Sequence, residues 1–464
     1  MPSRKLILIL VLSILIALSA LQNGPILGLV AQSSTAPAAE WEKSYPGGEA
    51  VFQVIQTSDN GFAFIGTGWA HISYDPPILI KVDSLGNMEW NKTLKISALT
   101  EATDGGIAVV GGNFKNITLY KISLNGNSEW NQTYSDYNRY IPTQSVLIVR
   151  TNDGGYAIAA DNFSGHVYSG DHEIGLYATL LIKTDSNGKI EWRNTYNISA
   201  SDFLSFELRS IVQSSDSGYV LTGSATSKRN DTDFCIAKIN SRGDLEWTKT
   251  FGRENNDDDA NAIIETNDGG YVLAGWSHSF TTGLTDSKAW LVKTDSTGNL
   301  QWNKTYGGPD YGNANCVIQT SDGGLAFAGS RPRYVDGGGS GFWLVKTDIN
   351  GNLQWDQTYF KGVGIAYSSD VNSLIETKDG SLVMAGFRTA SPSSRGTYNL
   401  IKTEPVLPPP TPSPTPLPTS TPSIFLLASE PILLAFASAV LIGVSVVILL
   451  FYFRKRPQHL PFKQ

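Results

Sequence analysis

The sequence predicts an all-β fold, a single seven-bladed β-propeller whose N-terminal strand completes the last blade. Three observations favour this fold class. A phrase W-x-x-[ST]-[YFL] returns seven times, at intervals of 40 to 62 residues, which is typical of propeller blades or solenoid repeats. Each interval contains four short strand patterns bounded by turn residues. The two ends of the repeat array are complementary, which favours a closed ring over an open solenoid.

The tryptophan phrase occupies the fourth strand pattern of each unit. In the fifth unit the four patterns are residues 260–266, 270–276, 289–295 and 299–306. They are rich in β-branched and aromatic residues, which favour strands. The seven tryptophans are Trp41, Trp90, Trp130, Trp192, Trp247, Trp302 and Trp355.

Two kinds of turn separate the strand patterns. Asp-Gly or a close variant joins the first two strands of each unit, and Asp-x-x-Gly joins the last two. Glycine adopts positive φ without steric cost and Asp caps the turn backbone, as hairpins require. Residues 348–352 also partly match the oxygen spacing of a calcium loop, but they lack the bidentate Glu of such loops. The sequence therefore predicts hairpin turns, the second kind closed by a bulge glycine.

The count of strands predicts how the ring closes. There are seven first strands and seven third strands, and the last third strand, residues 399–404, is followed by no tryptophan strand. The unmatched tryptophan strand is the one at Trp41. If it completes the seventh blade, residues 40–404 form one closed propeller with only short exposed edges.

The segments outside the propeller predict a membrane-anchored surface protein. Residues 1–31 contain Arg4 and Lys5 before an apolar run, as in a secretory signal peptide or an N-terminal hydrophobic segment. Residues 405–423 are rich in Pro, Ser and Thr and form an extended stalk. Residues 431–453 are uncharged and long enough for a transmembrane helix. The basic tail, residues 454–464, stays in the cytoplasm, so a single-pass plasma-membrane protein with an extracellular head is expected.

The charge of the sequence limits the partners that the protein can bind, and its cysteine content indicates how the fold is stabilised. All 42 acidic residues lie between Glu40 and Glu430, together with 29 of the 35 basic ones. This acidic balance excludes nucleic acid as a partner. The two cysteines, Cys235 and Cys316, lie two units apart, so no disulfide is predicted and core burial must stabilise the fold.

Seven N-x-[ST] sequons lie in the predicted head, and an exported chain is expected to carry glycans on several of them. Their asparagines are Asn91, Asn116, Asn131, Asn162, Asn197, Asn230 and Asn303.

The loops between the second and third strands contain the candidate ligand-binding residues. Four of the five histidines lie there among aromatic and arginine side chains, Tyr168 included. Loops on a rigid scaffold often carry binding residues, and these side chains suit sugar or peptide contacts. The alternative is that irregular loops collect such residues without a binding role. The candidates are Trp69, His71, His166, His172, Trp276, His278, Arg331 and Arg333.

One acidic loop, residues 254–261, is the candidate metal site. Its consecutive carboxylates, Asp257, Asp258 and Asp259, could bind Ca²⁺, although such runs are more often solvated loops. A metal site made by His71 and His278 is less favoured, since their blades are well separated and metal ligands must converge. No cofactor is predicted, and Ca²⁺ is the alternative left open.

The phrase at residues 291–302, LVKTDSTGNLQW, resembles the L-D-x-x-T-G-x-x-x-W repeat of the quinoprotein-like β-propellers. The region from Trp41 to Glu404 also resembles the repeat-rich, membrane-anchored propellers of archaeal cell surfaces. The resemblance implies the propeller fold. The chain lacks the adjacent cysteine pair of the family's quinone-dependent enzymes and has seven units where those enzymes usually have eight.

The sequence contains no familiar catalytic signature, because G-x-S-x-G, H-E-x-x-H, P-loop and C-x-x-C motifs are absent. We therefore expect a non-enzymatic protein that acts in binding of an extracellular glycan or protein, in adhesion or in envelope structure. One alternative is a quinoprotein-like or polysaccharide-active enzyme that uses the propeller funnel. Another is a purely structural envelope component.

Overall fold

The computed structural model describes residues 35–406, without residues 49, 68–75, 114, 136–145, 170–171, 199–202, 282–286, 308–311, 333–339, 360–367 and 390–395. The described residues form 28 β-strands in seven four-stranded antiparallel sheets. They include no helix long and apolar enough to cross a membrane. The predicted signal segment, stalk from residue 407 onward, transmembrane helix and basic tail lie outside the described residues.

The strands of the first four blades follow the chain from the centre of the ring outward. Blade 1 consists of β2 (Ala50–Gln56), β3 (Phe62–Thr67), β4 (Ile78–Val82) and β5 (Met88–Thr93). Blade 2 consists of β6 (Ala98–Glu101), β7 (Ile107–Asn113), β8 (Asn116–Ile122) and β9 (Ser128–Ser135). Blade 3 consists of β10 (Val146–Arg150), β11 (Tyr156–Ser169), β12 (His172–Thr184) and β13 (Ile190–Tyr196). Blade 4 consists of β14 (Phe203–Gln213), β15 (Tyr219–Ser227), β16 (Thr232–Ile239) and β17 (Leu245–Phe251).

The last three blades include the one that joins the two ends of the ring. Blade 5 consists of β18 (Asp258–Glu265), β19 (Tyr271–Ser277), β20 (Lys288–Thr294) and β21 (Leu300–Tyr306). Blade 6 consists of β22 (Cys316–Gln319), β23 (Leu325–Pro332), β24 (Ser340–Thr347) and β25 (Leu353–Tyr359). Blade 7 consists of β26 (Ser368–Glu376), β27 (Leu382–Thr389), β28 (Thr397–Thr403) and β1 (Ala39–Pro46).

The N-terminal strand closes the ring, as the strand count predicted. β1 pairs antiparallel with β28, and Ser44 lies opposite Asn399. The Ser44 hydroxyl donates to the Asn399 side-chain oxygen at 2.8 Å. β2 of blade 1 also packs against β26 of blade 7. The predicted seven-bladed propeller is therefore confirmed for the described residues.

The hydrophobic core is divided among the seven spaces between neighbouring blades. Seven clusters of buried side chains occupy these spaces, one for each pair of blades. In β11, Ile158 and Ala160 pack towards blade 2, whereas Ala157 and Ala159 pack towards blade 4. Both faces of the inner strands are thus buried, which explains why those strands read as continuous apolar runs. Cys235 and Cys316 are buried free thiols, which confirms the prediction of no disulfide.

The two kinds of turn have the predicted geometry, with one correction. Gly298, in an Asp-x-x-Gly turn, has a φ of 79°. Its amide donates to the Asp295 carbonyl at 3.1 Å and the Asp295 amide donates to the Asn299 carbonyl at 2.9 Å, the pattern of a turn closed by a bulge glycine. Gly269 of an Asp-Gly turn has a φ of 76°. In the two variant turns, however, Asn60 and Ser217 adopt positive φ themselves (66° and 65°). Asp348 accepts hydrogen bonds from the backbone and side chain of Asn352 at 2.8 and 2.7 Å, so its carboxylate caps the turn.

A buried lysine joins the two hairpins of every blade, an interaction that we did not predict from the sequence. Lys293 is 1% exposed, and its ammonium group lies 2.9 Å from the Asp268 carboxylate. A Cβ at Gly270 would lie 2.2 Å from the Thr294 carbonyl oxygen and 2.3 Å from that nitrogen, so glycine leaves room for both groups in blade 5. The other six pairs, at 2.7 to 2.9 Å, are Lys81–Asp59, Lys121–Asp104, Lys183–Asp153, Lys238–Asp216, Lys346–Asp322 and Lys402–Asp379.

The tryptophan phrase fastens each blade to the next. A Cβ at Gly298 of blade 5 would lie 2.6 Å from a ring carbon of Trp247 in blade 4. The absence of a side chain there lets the indole ring pack on the turn backbone. Tyr306, at the end of the phrase in blade 5, donates its hydroxyl to the Gly351 carbonyl of blade 6 at 2.8 Å. Burial raises the pKa of Tyr306, so this hydroxyl stays protonated as a donor.

The buried lysine–aspartate pair of each blade, which we call the clasp, predicts a specific loss of stability when its aspartate is removed. We expect Asp268→Ala to lower the free energy of unfolding by about 3 kcal/mol, because the Lys293 ammonium would stay buried without its carboxylate. Adding Lys293→Met should recover much of this loss, since no buried charge remains. Urea unfolding followed by tryptophan fluorescence measures both. A single variant as stable as the wild-type protein would contradict the prediction.

The same clasp contributes a pH-dependent stability. Burial alone would raise the pKa of Asp268, but hydrogen bonds from Thr266, Lys293 and Gly270 together lower it. A carboxyl whose pKa is lowered by folding stabilises the protein above its ordinary pKa, and this contribution is lost as the pH falls. The effect of Asp268→Ala should therefore shrink in acid.

The tryptophan contact can be separated from the cost of positive φ by a matched pair of substitutions. Gly298 and Gly323 both have positive φ (79° and 83°), but a Cβ at Gly323 would meet nothing within 4 Å. Gly298→Ala should therefore lower the free energy of unfolding by about 2 kcal/mol more than Gly323→Ala. Equal losses in urea unfolding would show that the tryptophan contact does not require glycine.

Candidate functional site

The two faces of the propeller are built differently. The turn face carries the Asp-Gly and Asp-x-x-Gly turns, and the loop face carries the hairpins between second and third strands together with the connections between blades. On the turn face, Glu376 accepts bonds from the backbone and hydroxyl of Ser321 in the preceding blade at 2.7 and 2.8 Å. The described chain also ends there, because the amide of Val406 donates to Gly380 at 2.9 Å.

The first strands of all seven blades line a central channel with a cavity of about 420 Å³. In six blades the residue seven positions before the turn aspartate lines it, and blade 3 contributes Leu147 and Ile148. In several blades a β-bulge at this position turns the side chain towards the channel. The six residues are Phe52, Ser97, Arg209, Asn261, Asn315 and Asn372.

Three of these residues, Asn261, Asn315 and Asn372, form a chain of hydrogen bonds that we call the amide arc. The side-chain amide of Asn261 donates to the side-chain oxygen of Asn315 at 3.3 Å, and that of Asn315 donates to Asn372 at 3.2 Å. Asn372 donates to the backbone carbonyl of Val51 at 3.0 Å. The arc joins blades 5, 6 and 7 to blade 1, so it also crosses the point of ring closure.

The charged residue of the channel lies in blade 4, outside the amide arc. Arg209 is the only charged side chain among the described residues that line the cavity. Its guanidinium lies 2.9 Å from Glu207, and both side chains are 43% exposed. Nearby, Asp161 is 1% exposed and accepts the Leu208 amide at 3.2 Å. Burial raises the pKa of Asp161 to about 8, so this carboxyl is protonated at neutral pH and leaves Glu207 as the counter-charge.

Among the described residues, the longest strand extension on the loop face is a hairpin of blade 3, residues 163–169 and 172–177, which we call the finger. β11 and β12 continue their pairing to Ser169 and His172, beyond the end of β10. The Phe163 ring centroid lies 4.7 Å from that of His166 and 5.6 Å from that of Tyr177. Tyr168 near the tip is 70% exposed. The finger thus presents an ordered aromatic surface to solvent.

The predicted binding residues divide among several blades. His166 and His172 lie on the finger, where His166 Nδ1 is 3.4 Å from a Glu173 carboxylate oxygen. Trp276 and His278 lie together on blade 5, with ring centroids 4.9 Å apart, and both are half-buried. Arg331 lies on blade 6, 3.0 Å from Asp356. Trp69, His71 and Arg333 lie outside the described residues.

The acidic loop, predicted as a candidate metal site, connects blade 4 to blade 5. Asp257 is exposed and accepts the Thr232 amide at 3.1 Å. Asp258 is completely buried and accepts the Ser279 hydroxyl, while Asp259 is half-buried opposite Trp276 in the ladder. Among the described residues, no group of three or more His, Cys, Asp or Glu side chains is placed to bind a metal ion.

The sequon asparagines differ in exposure. Asn162 is completely buried, and neither polar atom of its side chain has a hydrogen-bond partner in the described structure. A glycan on Asn162 is incompatible with this packing, because β11 places the side chain between two blades. Asn116 is half-buried, and the exposed ones are Asn91, Asn131, Asn197, Asn230 and Asn303.

Comparison with known proteins does not assign a family. No protein-family profile matches the sequence, and no curated protein matches it either. A protein of unknown function from Dyadobacter fermentans DSM 18053 is 9% identical, with a TM-score of 0.48 over 79% of this chain and 98% of that one. The polysaccharide lyase Uly1 is 11% identical, with a TM-score of 0.46 over 81% and 95%. The WD40 domain of Toxoplasma gondii coronin is 8% identical, with a TM-score of 0.44 over 80% and 88%.

The buried Asp161 predicts a pH-dependent stability opposite in sign to that of the clasps. Its pKa is raised in the folded state, so its contribution to stability falls as the pH rises from about 4 to about 8, by at most about 1.4 kcal/mol per pH unit. Asp161→Asn should remove this decline. Urea unfolding at several pH values measures it, and a wild-type curve parallel to that of the variant would contradict it.

Proposed function

We propose that this chain is a cell-surface-anchored extracellular β-propeller that binds a glycan or a protein through its loop face, in adhesion or in the cell envelope, without catalysing a reaction. The observation that carries the proposal is the finger. A propeller needs no such extension to complete a blade, since the described second and third strands of the other blades have nine residues or fewer, against 14 and 13 in blade 3.

The finger has the physical properties of a recognition element. Its base is rigid because β11 and β12 are also strands of the blade 3 sheet. Tyr168 offers a large contact area with few rotatable bonds, so it loses little entropy on binding. His166 and Glu173, each about half-exposed, add hydrogen-bonding groups beside the aromatic surface. An aromatic anchor flanked by polar groups suits a sugar ring or a peptide side chain.

The place where the described chain ends also supports an anchored propeller that binds through its loop face. The described residues end on the turn face at Val406, and the stalk and membrane anchor predicted from the sequence follow. The finger lies on the opposite face of the propeller.

A second candidate is a quinoprotein-like or polysaccharide-active enzyme. It is favoured by the central channel, whose cavity of about 420 Å³ can hold a small ligand beside Arg209 and the amide arc. A third is a structural envelope component that associates laterally. It is favoured by exposed aliphatic side chains at one repeat position on five blades, namely Met88, Ile190, Leu245, Leu300 and Leu353.

Binding of the purified protein to glycan and surface-protein arrays tests the proposal. We expect Tyr168→Ala to weaken binding of the captured ligand about tenfold, a loss typical of an aromatic anchor. Leu245→Ala, which removes an exposed apolar side chain from the other end of a blade, should have no effect. Equal binding by the Tyr168→Ala variant, or no binding by the wild-type protein to either array, would contradict the proposal. Turnover lost in Arg209→Ala would support the enzyme.

A further inference from the structure

A second concave site lies on the outer wall of the propeller, between blades 5 and 6. Neighbouring blades diverge from the axis, and the wedge between their outer strands contains a cavity of about 500 Å³ here. We call it the outer groove. The residues that define it are Lys304, Thr305 and Tyr306 of blade 5 and Arg331, Trp343 and Asp356 of blade 6.

The blade 6 wall presents a carboxylate in a fixed orientation. One oxygen of Asp356, Oδ2, accepts hydrogen bonds from Arg331 Nη1 and from Trp343 Nε1, each at 3.0 Å. Arg331 also lies over the indole ring, 5.6 Å from its centroid. The second oxygen, Oδ1, receives no hydrogen bond from the described residues. Asp356 is 36% exposed, so Oδ1 remains available to accept from a ligand.

The blade 5 wall presents donors across the groove. Lys304 Nζ donates to the side-chain oxygen of Asn352 at 2.7 Å, which uses one of its three protons. Thr305 is exposed. Tyr306 is held by its bond to Gly351. On the blade 6 side of the rim, Leu353 is 56% exposed. The groove therefore combines an acceptor, a charged donor, a hydroxyl and an apolar edge.

The fold does not require these residues. The position of Trp343 in the repeat is occupied in other blades by Ile78, Thr118, Leu180 or Cys235. Blade 7 has an equivalent of the Arg331–Asp356 pair in Arg388–Glu42, but those side chains are only 19% and 12% exposed. Blade 5 has an equivalent of the Trp343–Asp356 contact in Trp290–Asn303, at 3.3 Å, with Ser277 at the position of the arginine. Among these three blades, only blade 6 combines both contacts in a half-open groove.

Each cation among the described residues of the outer groove lies near an anion. Arg331 faces Asp356, and Lys304 faces Asp348 in the adjoining turn. Burial alone would raise the pKa of Asp348, but bonds from the turn and the charge of Lys304 lower it. Among the described residues, neither cation of the groove is therefore without a neighbouring anion, an arrangement that does not favour a charged ligand. A hydroxyl-bearing ligand fits better, because each hydroxyl can donate to a carboxylate and accept from an ammonium group.

We propose that the outer groove binds a neutral saccharide unit, with Asp356 Oδ1 accepting from a sugar hydroxyl, Lys304 donating to a sugar oxygen and Leu353 contacting the apolar face of the ring. This site is separate from the finger and does not rest on the function proposed for the loop face. It would give the propeller a lateral contact to a polysaccharide in addition to its contact through the finger.

The test is a titration of the purified full-length protein with maltose, cellobiose and lactose, followed by calorimetry and tryptophan fluorescence. Glucuronate and glucosamine serve as charged comparisons. We expect saturable binding of at least one neutral disaccharide, about tenfold weaker in Lys304→Met, and no tighter binding of the charged sugars. The matched control is Lys249→Met, which removes an exposed lysine from the same strand position on blade 4. It should leave the affinity unchanged.

Three outcomes overturn the inference. Absence of saturable binding to all three disaccharides excludes a neutral-saccharide site. Equal weakening by Lys304→Met and Lys249→Met places the binding elsewhere. Binding weakened by Tyr168→Ala but not by Lys304→Met assigns it to the finger and overturns the inference. Loss of array binding in Tyr168→Ala with intact disaccharide binding supports two separate sites. Thr305→Val is a second variant for the same disaccharide titration, because Thr305 is exposed and the substitution should not affect folding.

Discussion

The pairing of β1 with β28 is the interaction on which the rest of the structure depends. Each hydrophobic cluster lies between two blades, so seven blades enclose seven clusters only when the ring is closed. In an open array the first and seventh blades would each expose an apolar sheet face, because the strands are buried on both sides. Closure is reinforced near the axis, where the Ser373 hydroxyl accepts the Val54 amide at 3.0 Å and the amide arc continues into blade 1.

Repetition in this chain serves two mechanical purposes. Within a blade, the buried lysine joins the two hairpins through one aspartate. Between blades, the tryptophan of the repeated phrase packs on the glycine turn of the next blade at six of the seven junctions. Where the phrase ends in Tyr45, Tyr134, Tyr196 or Tyr306, the hydroxyl also donates to that turn. These contacts account for the repeated residues, so the repeated residues belong to the scaffold. Among the described residues, the finger, the channel wall near Arg209 and the outer groove are three places where the chain departs from its own repeat.

The sequence predicted the turns and the closure well, because both follow from local rules. It was less informative about single side chains that depend on neighbouring blades. Asn162 belongs to a sequon like that of Asn303, yet one is buried and the other exposed, because a sequon does not record which face of a strand packs against another blade. The acidic loop appeared to be solvated or metal-binding, whereas Asp258 is buried and bonded to Ser279.

By itself, the sequence determined the number of blades, the strand order within each blade and the strand that closes the ring. These features follow from spacing, strand propensity and turn chemistry, which are properties of short segments. Only the tertiary structure decided the partner of each buried lysine, the hydrogen bonds around the channel and the pairing of Arg331 with Asp356. Those contacts join residues on different strands or blades, and their geometry depends on how the twisted sheets pack around the axis.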